Sequence, residues 1–171
     1  MIKQRILNKL RKALLNILLL TSVSFATTSL QATENPSNYT STYKDNKHLI
    51  SDSRQVDCLV ANAYHESRDQ GEKGILATVF VVLNRTKDSR FPSTPCKVIA
   101  QPNQFEWVGK GKVVKEKEKY QEIKQLVIET LKGEHRDLTK GSLYFHNTSI
   151  KPSWSKKLSC TIKIKDHVFY R

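Results

Sequence analysis

Glu66 is the side chain in this sequence best placed to donate a proton. It follows Leu59 by seven residues and Ala63 by three. Those positions share one face of a helix, so Glu66 continues an apolar stripe. It also falls in the last turn of that helix, where the backbone dipole is negative. Desolvation and the dipole both disfavour a carboxylate and raise its pKa, as a general acid at neutral pH requires. The competing structural reading is a glutamate at the helix rim, paired with Arg68 or His65.

Acid chemistry on a glycosidic bond usually takes two carboxyl groups. The candidates for a second are Glu72, Asp69 and Glu106, and each reads more simply as part of a solvated face. One acid suffices when the sugar supplies its own nucleophile. Gln104-Phe105-Glu106-Trp107 places aromatics and amides on a loop, and Tyr144-Phe145-His146-Asn147 ends a strand with the same mixture. Trp154 follows Pro152. Flat rings for pyranose faces, with amide and imidazole groups for hydroxyls, make a sugar-site composition. Core is the better reading for Tyr144 and Phe145. Strand alternation puts Tyr144 and His146 on one face and Phe145 on the other.

Other chemistries lack their residues. His65, His135, His146 and His167 have no metal-ligand spacing, and the sequence holds no HExxH, CxxC or glycine-rich phosphate loop. Cys58 sits on an apolar helical segment and reads as a buried thiol rather than a nucleophile.

The elements that must carry these residues follow from periodicity. Val56, Leu59, Val60, Ala63 and Ser67 predict a helix from about Ser53 to Arg68, capped by Asp52 or Ser53 and broken at Gln70-Gly71. Glu72 to Arg85 predicts a second helix, apolar all round from Ile75 to Leu83 except Thr78, although its valines also suit a buried strand. The prolines between Arg90 and Pro95 predict a loop, and Lys97 to Ala100 a short helix or turn. Gln101 to Lys112 reads as surface loop. Lys115 to Lys132 predicts an amphipathic helix ended by Gly133. Ser142–His146 and Thr161–Tyr170 predict strands. The fold class is therefore α+β, mostly helical with a small C-terminal β element.

The chain has 171 residues, 38% hydrophobic and 26% charged, with 29 Lys+Arg against 16 Asp+Glu and a net charge of +13. This suits one domain with its own core and excludes collagenous, wholly disordered and disulfide-dense classes. Lys3, Arg5, Lys9, Arg11 and Lys12 precede an apolar run from Ala13 to about Ala26. That is the pattern of a secretory signal peptide, with cleavage after Ala26, or at Ser29 or Ala32. An amphipathic helix or an uncleaved anchor is the other reading, but the run is short for a membrane span. Loss of residues 1–26 with their five basic residues lowers the net charge from +13 to +8. Residues 27–52, rich in Thr, Ser, Asn and Gln, read as a flexible linker, and 53–171 as the folded domain. Outside the cytoplasm, Cys58, Cys96 and Cys160 can form at most one internal bridge, with three pairings open. Lys110, Lys112, Lys115, Lys117 and Lys119, interleaved with Glu116 and Glu118, read as a solvated helix start or as a patch for anionic wall polymer.

The sequence resembles the SleB-like cell-wall hydrolases, the spore cortex-lytic enzyme family. The resemblance is carried by Leu59 to Arg68, Gly74, Ala77, Val79, Val81-Val82-Leu83-Asn84-Arg85, Arg90 to Ile99 and Gln104 to Trp107. It continues through Gly141 to Asn147, Lys151-Pro152-Ser153-Trp154 and His167 to Arg171, so it runs from about residue 55 to the C-terminus. It implies a lysozyme-like fold, cleavage of peptidoglycan glycan strands, and a catalytic glutamate at Glu66. It further implies lytic transglycosylase chemistry, in which the muramic acid 6-hydroxyl closes on its own C1. The family's Glu-Ala-Arg-Gly-Glu becomes Glu66-Ser67-Arg68-Asp69-Gln70 here, a Gln before the apolar run becomes Ile75, and a loop Ser becomes Glu106. The turn after the catalytic helix is therefore expected to differ.

The resulting expectation is a periplasmic or secreted, wall-associated, monomeric enzyme. Glu66 would be catalytic, and Tyr64, Gln104, Phe105, Trp107, His146 and Asn147 would hold the glycan. No metal, cofactor, nucleic acid or stable membrane span would be involved. The rivals are a non-catalytic peptidoglycan-binding module and a basic nucleic-acid or membrane-surface binder.

Overall fold

A computed structural model describes residues 46, 48–111 and 113–171. The expected signal peptide and most of the expected linker lie outside the described residues. Residues 48–51 are helical, and Leu49 is buried in the main core.

Helix α1 spans Ser53–Ser67, and the Asp52 side chain caps it by accepting from the Arg54 N–H at 3.1 Å. The apolar stripe is its buried face, through Val56, Leu59, Val60 and Ala63. Helix α2 spans Gly71–Lys87. Every residue from Gly74 to Leu83 is buried, which is what a run apolar on all sides requires. Length decides for helix over strand here: the run is longer than most strands, and α1, α3 and α4 all pack around it. Helix α3 is a single turn, Pro95–Ile99, opened by a proline in its first turn. Helix α4 spans Lys117–Lys132 and ends at Gly133, which takes the left-handed conformation that caps it.

The sheet has three antiparallel strands in the order β1-β3-β2: β1 Tyr144–Asn147, β2 Cys160–Ile164 and β3 His167–Tyr170. The single strand expected over 161–170 is a hairpin. Lys165, at φ 46°, and Asp166 make its turn, a break that a continuous β-branched pattern hides. A 3-10 helix over Ser153–Lys157 joins β1 to β2.

Two apolar clusters hold these parts. The larger joins α1, α2, α3 and α4 through residues such as Leu59, Val79, Leu83, Val98, Ile123 and Val127. The smaller seats the sheet on α2, with Phe169, Ile162, Ile164 and Phe145 against Ala77 and Val81. Cys58 and Cys96 form a disulfide linking α1 to α3, so Cys58 is not the free buried thiol the helical pattern implied. Cys160 is the exposed free cysteine. Among the described residues, no helix is long and apolar enough to cross a membrane.

Candidate active site

The end of α1 and the turn into α2 organise the site. Glu66 is half-buried in the last turn of α1. Four residues earlier, on the same helix face, Asn62 is 1% exposed and accepts a 3.0 Å hydrogen bond from Trp107 Nε1. The neighbouring His65 stacks its ring on Trp107 with centroids 4.8 Å apart. The aromatic loop is thus fastened to the helix turn that carries Glu66. Arg68 lies 3.0 Å from Glu116 and over the Tyr64 ring.

The turn from α1 to α2 is joined to the sheet by Asp69 and Gln70. Gly71 follows Gln70 at φ 69°, a left-handed conformation suited to glycine. At Gly74 a Cβ would fall 2.4 Å from Gln70 Cβ, so the close approach of the helix start needs glycine there. The Gln70 side-chain oxygen accepts from the Asp166 N–H at 3.1 Å, and Lys165 Nζ donates to the Asp69 carbonyl at 3.2 Å. The Thr148 N–H donates to the Asp166 carbonyl at 2.7 Å. The Asn147 end of β1 is therefore tied, through the β2–β3 turn, to the residues just after Glu66.

The expected glycan-holding residues divide by exposure. Gln104 and Asn147 are exposed and Trp107 is half-buried, so all three present surface. Tyr64 is 2% exposed, and its hydroxyl accepts from the N–H groups of Lys115 and Glu116 at 3.1 and 3.0 Å. Its place is under the loop leading into α4, as a positioning residue. Phe105 is 5% exposed and belongs to the core. His146 is 8% exposed, its Nδ1 and Nε2 lying 2.8 Å from the Asn147 carbonyl and 3.0 Å from the Tyr170 hydroxyl. These three side chains are buried, whereas Gln104, Trp107 and Asn147 present surface. Of the possible second carboxylates, Asp69 and Glu72 are exposed, and the Glu106 side chain is 91% exposed.

Two residues missed from the sequence connect the walls of the site. Asn62 is one. Arg85 is the other: it is 4% exposed, and its Nε donates to the Leu143 carbonyl at 2.7 Å. Its guanidinium lies 5.1 Å from the Phe91 ring centroid and 5.7 Å from those of Phe105 and Tyr144. Burial lowers its pKa to about 10, so it stays a cation at neutral pH. The available signal was a polar end, Asn84 to Lys87, directly after the apolar run. His167, at the start of β3, is 5% exposed, and its buried Nδ1 has no hydrogen-bond partner among the described residues. Burial lowers its pKa, against smaller raising effects of Asp69 and Asp166.

Among the described residues, no group of three or more His, Cys, Asp or Glu could hold a metal ion. A cavity of about 370 Å³ between Lys87, Arg90, Gly141 and Arg171 sits at the far end of α2 and includes none of these site residues.

The fold is a helical body that carries a half-buried acid at a helix end, an anchored aromatic loop and a small C-terminal sheet. Residues 69–170 match the Cell Wall Hydrolase family model, and the chain belongs to that family. Glu66 lies just before the matched segment. The chain is 33% identical over 113 residues to a spore cortex-lytic enzyme of Bacillus cereus, covering 65% of this chain and 42% of that protein. It thus spans less than half the length of this curated relative. Two solved structures share the fold. The catalytic domain of the germination-specific lytic transglycosylase SleB from Bacillus anthracis is 26% identical, with a TM-score of 0.58 over 68% of this chain and 93% of that one. The catalytic domain of the Bacillus cereus SleB protein is 29% identical, with a TM-score of 0.57 over 69% and 91%. The α+β, mostly helical class and the SleB-like family read from the sequence both stand.

Proposed function

We propose that this protein cleaves peptidoglycan glycan strands between N-acetylmuramic acid and N-acetylglucosamine, as a lytic transglycosylase that leaves 1,6-anhydro ends. The observation that carries this reading is Glu66, half-buried one turn beyond the Asn62–Trp107 hydrogen bond. An acid so held meets a sugar ring between the aromatic loop and the Asn147 end of β1.

Glu66 protonates the glycosidic oxygen, and the bond to C1 of the muramic acid breaks. The resulting carboxylate takes the proton of the C6 hydroxyl as that oxygen bonds to C1. One carboxyl group thereby serves both steps, consistent with Asp69, Glu72 and Glu106 all facing solvent. Trp107 offers a ring to a pyranose face, and Gln104 and Asn147 offer amides to hydroxyl and N-acetyl groups. Tyr64, Phe105 and His146 act from behind, by fixing the backbone and rings that make contact.

The protein acts outside the cytoplasm as a wall-associated monomer, after removal of residues 1–26. Digestion of purified sacculi followed by mass spectrometry tests the reaction: anhydro-muropeptides support it, and reducing muramic ends would make the protein a hydrolase.

A further inference from the structure

The positive charge of this protein is distributed differently from its lysine run. Two lysines of that run have counter-ions, Lys110 at 4.0 Å from Glu106 and Lys119 paired with Glu122, and within α4 Lys124 lies 3.7 Å from Asp57. Residues 151–171 carry Lys151, Lys156, Lys157, Lys163, Lys165 and Arg171 against Asp166 alone. Among the described residues, no carboxylate lies within ion-pair distance of those six cations.

Four of these lysines border one surface. Ile162 and Ile164 face α2, so alternation turns Lys163 to the outer face of the sheet. Trp154 sits on that outer face, with ring centroids 5.8, 5.7 and 5.5 Å from Tyr144, His146 and Tyr170. The 3-10 helix carrying Trp154 also carries Lys156 and Lys157, both exposed, and exposed Lys151 leads into it. Half-exposed rings are thus bordered by cations without counter-ions.

We propose that this outer face of the sheet is a wall-engaging surface, in which the lysines pair with stem-peptide carboxylates and the rings meet the sugars that bear them. The proposal rests on peptidoglycan being the substrate. A glycan strand with a carboxylate-bearing peptide on alternate sugars presents flat rings and anions together, as this surface requires. Lysine suits the task because its long stem reaches a mobile anion without a fixed geometry. The interaction is screened by salt and adds wall affinity without touching the bond broken at Glu66.

The test uses the full chain and a Lys156→Gln/Lys157→Gln/Lys163→Gln variant. Its charge-matched control is Lys110→Gln/Lys117→Gln/Lys119→Gln. Sedimentation with native sacculi should be weakened roughly tenfold in the first variant at low salt, with the gap closing at high salt, and be near wild type in the control. Sacculi whose carboxyl groups have been amidated should bind wild type as weakly as native sacculi bind the first variant. Sacculi stripped of phosphate polymers should bind wild type normally. Equal binding by the two variants, full binding to amidated sacculi, or loss of binding only on phosphate removal would overturn the proposal. Cleavage of a soluble tetrasaccharide without stem peptides, which lacks the carboxylates these lysines would pair with, should be the same in all three proteins. Failure of wild type to cleave it would count against the proposed reaction while leaving the binding result readable. Matching thermal midpoints exclude misfolding as the cause.

Discussion

Trp107 donates its indole N–H to Asn62 Oδ1 at 3.0 Å, one helical turn before Glu66. The bond joins a surface loop to a buried amide and fixes the plane of the ring most available to a sugar. Trp107→Phe keeps a ring but removes the donor and leaves a buried acceptor unpaired. It should cost about 1–3 kcal/mol of stability. If the ring binds substrate as proposed, it should also raise KM for glycan more than it lowers kcat, because the ring does not move the proton. Denaturant titration and steady-state kinetics on a soluble glycan check both. A Trp107→Phe/Asn62→Leu double variant that loses no more stability than either single change would show that the two act as a unit.

Arg85 should tolerate little. Arg85→Met removes the bond to the Leu143 carbonyl and a cation shared by three rings. Leaving that carbonyl unpaired should cost about 1–3 kcal/mol, offset in part because the buried charge also disappears. Arg85→Lys keeps the charge but not the planar fork, and should recover only part of the loss. Thermal unfolding of the three proteins ranks them.

The Cys58–Cys96 bridge closes a loop with a sequence separation of 38 residues. By loop entropy it should stabilise the folded state by about 4 kcal/mol, and by less if the reduced chain keeps structure. Cys58→Ser/Cys96→Ser should show the loss in denaturant, while Cys160→Ser should leave stability unchanged. A thiol assay on the folded wild type should find Cys160 reactive.

His167 supplies a pH dependence. Burial holds its folded pKa below the ordinary value of 6.5, with Asp69 and Asp166 opposing that shift and His146 adding to it. The unfolded chain therefore binds the proton more readily than the native protein. The stability this burial permits is complete above the unfolded pKa and is lost as pH falls through about 6.5 toward the lower folded value. Thermal midpoints should fall as pH drops from about 7.5 to about 5.5, and His167→Asn should flatten that fall.

The helices were legible because each bears one strong periodic signal. Leu59, Val60 and Ala63 announce α1 before any contact is known, and Gly133 marks the end of α4. The half-burial of Glu66 in the last turn of α1 was legible for the same reason, because the residue continues the apolar stripe. The β2–β3 hairpin was hidden because its turn, Lys165-Asp166, carries neither glycine nor proline. The linkage of Asp69 and Gln70 to that turn is a contact across 96 residues, which no local pattern encodes. The burial of Tyr64 and Phe105 was not legible, because composition places rings in a segment without saying which way they turn. Asn62 and Arg85 are the polar residues that tie such rings down; Asn62 stood within an apolar segment and Arg85 at the end of one.

The central claim is that Glu66 alone provides both the acid and the base for an intramolecular closure. The most direct measurement is mass spectrometry of muropeptides released from purified sacculi by wild type and by Glu66→Gln, whose folding is checked by its thermal midpoint. Anhydro-muropeptides from wild type, with release reduced by at least about a thousandfold in folded Glu66→Gln, are the predicted result. Undiminished anhydro-muropeptide release by Glu66→Gln would contradict it.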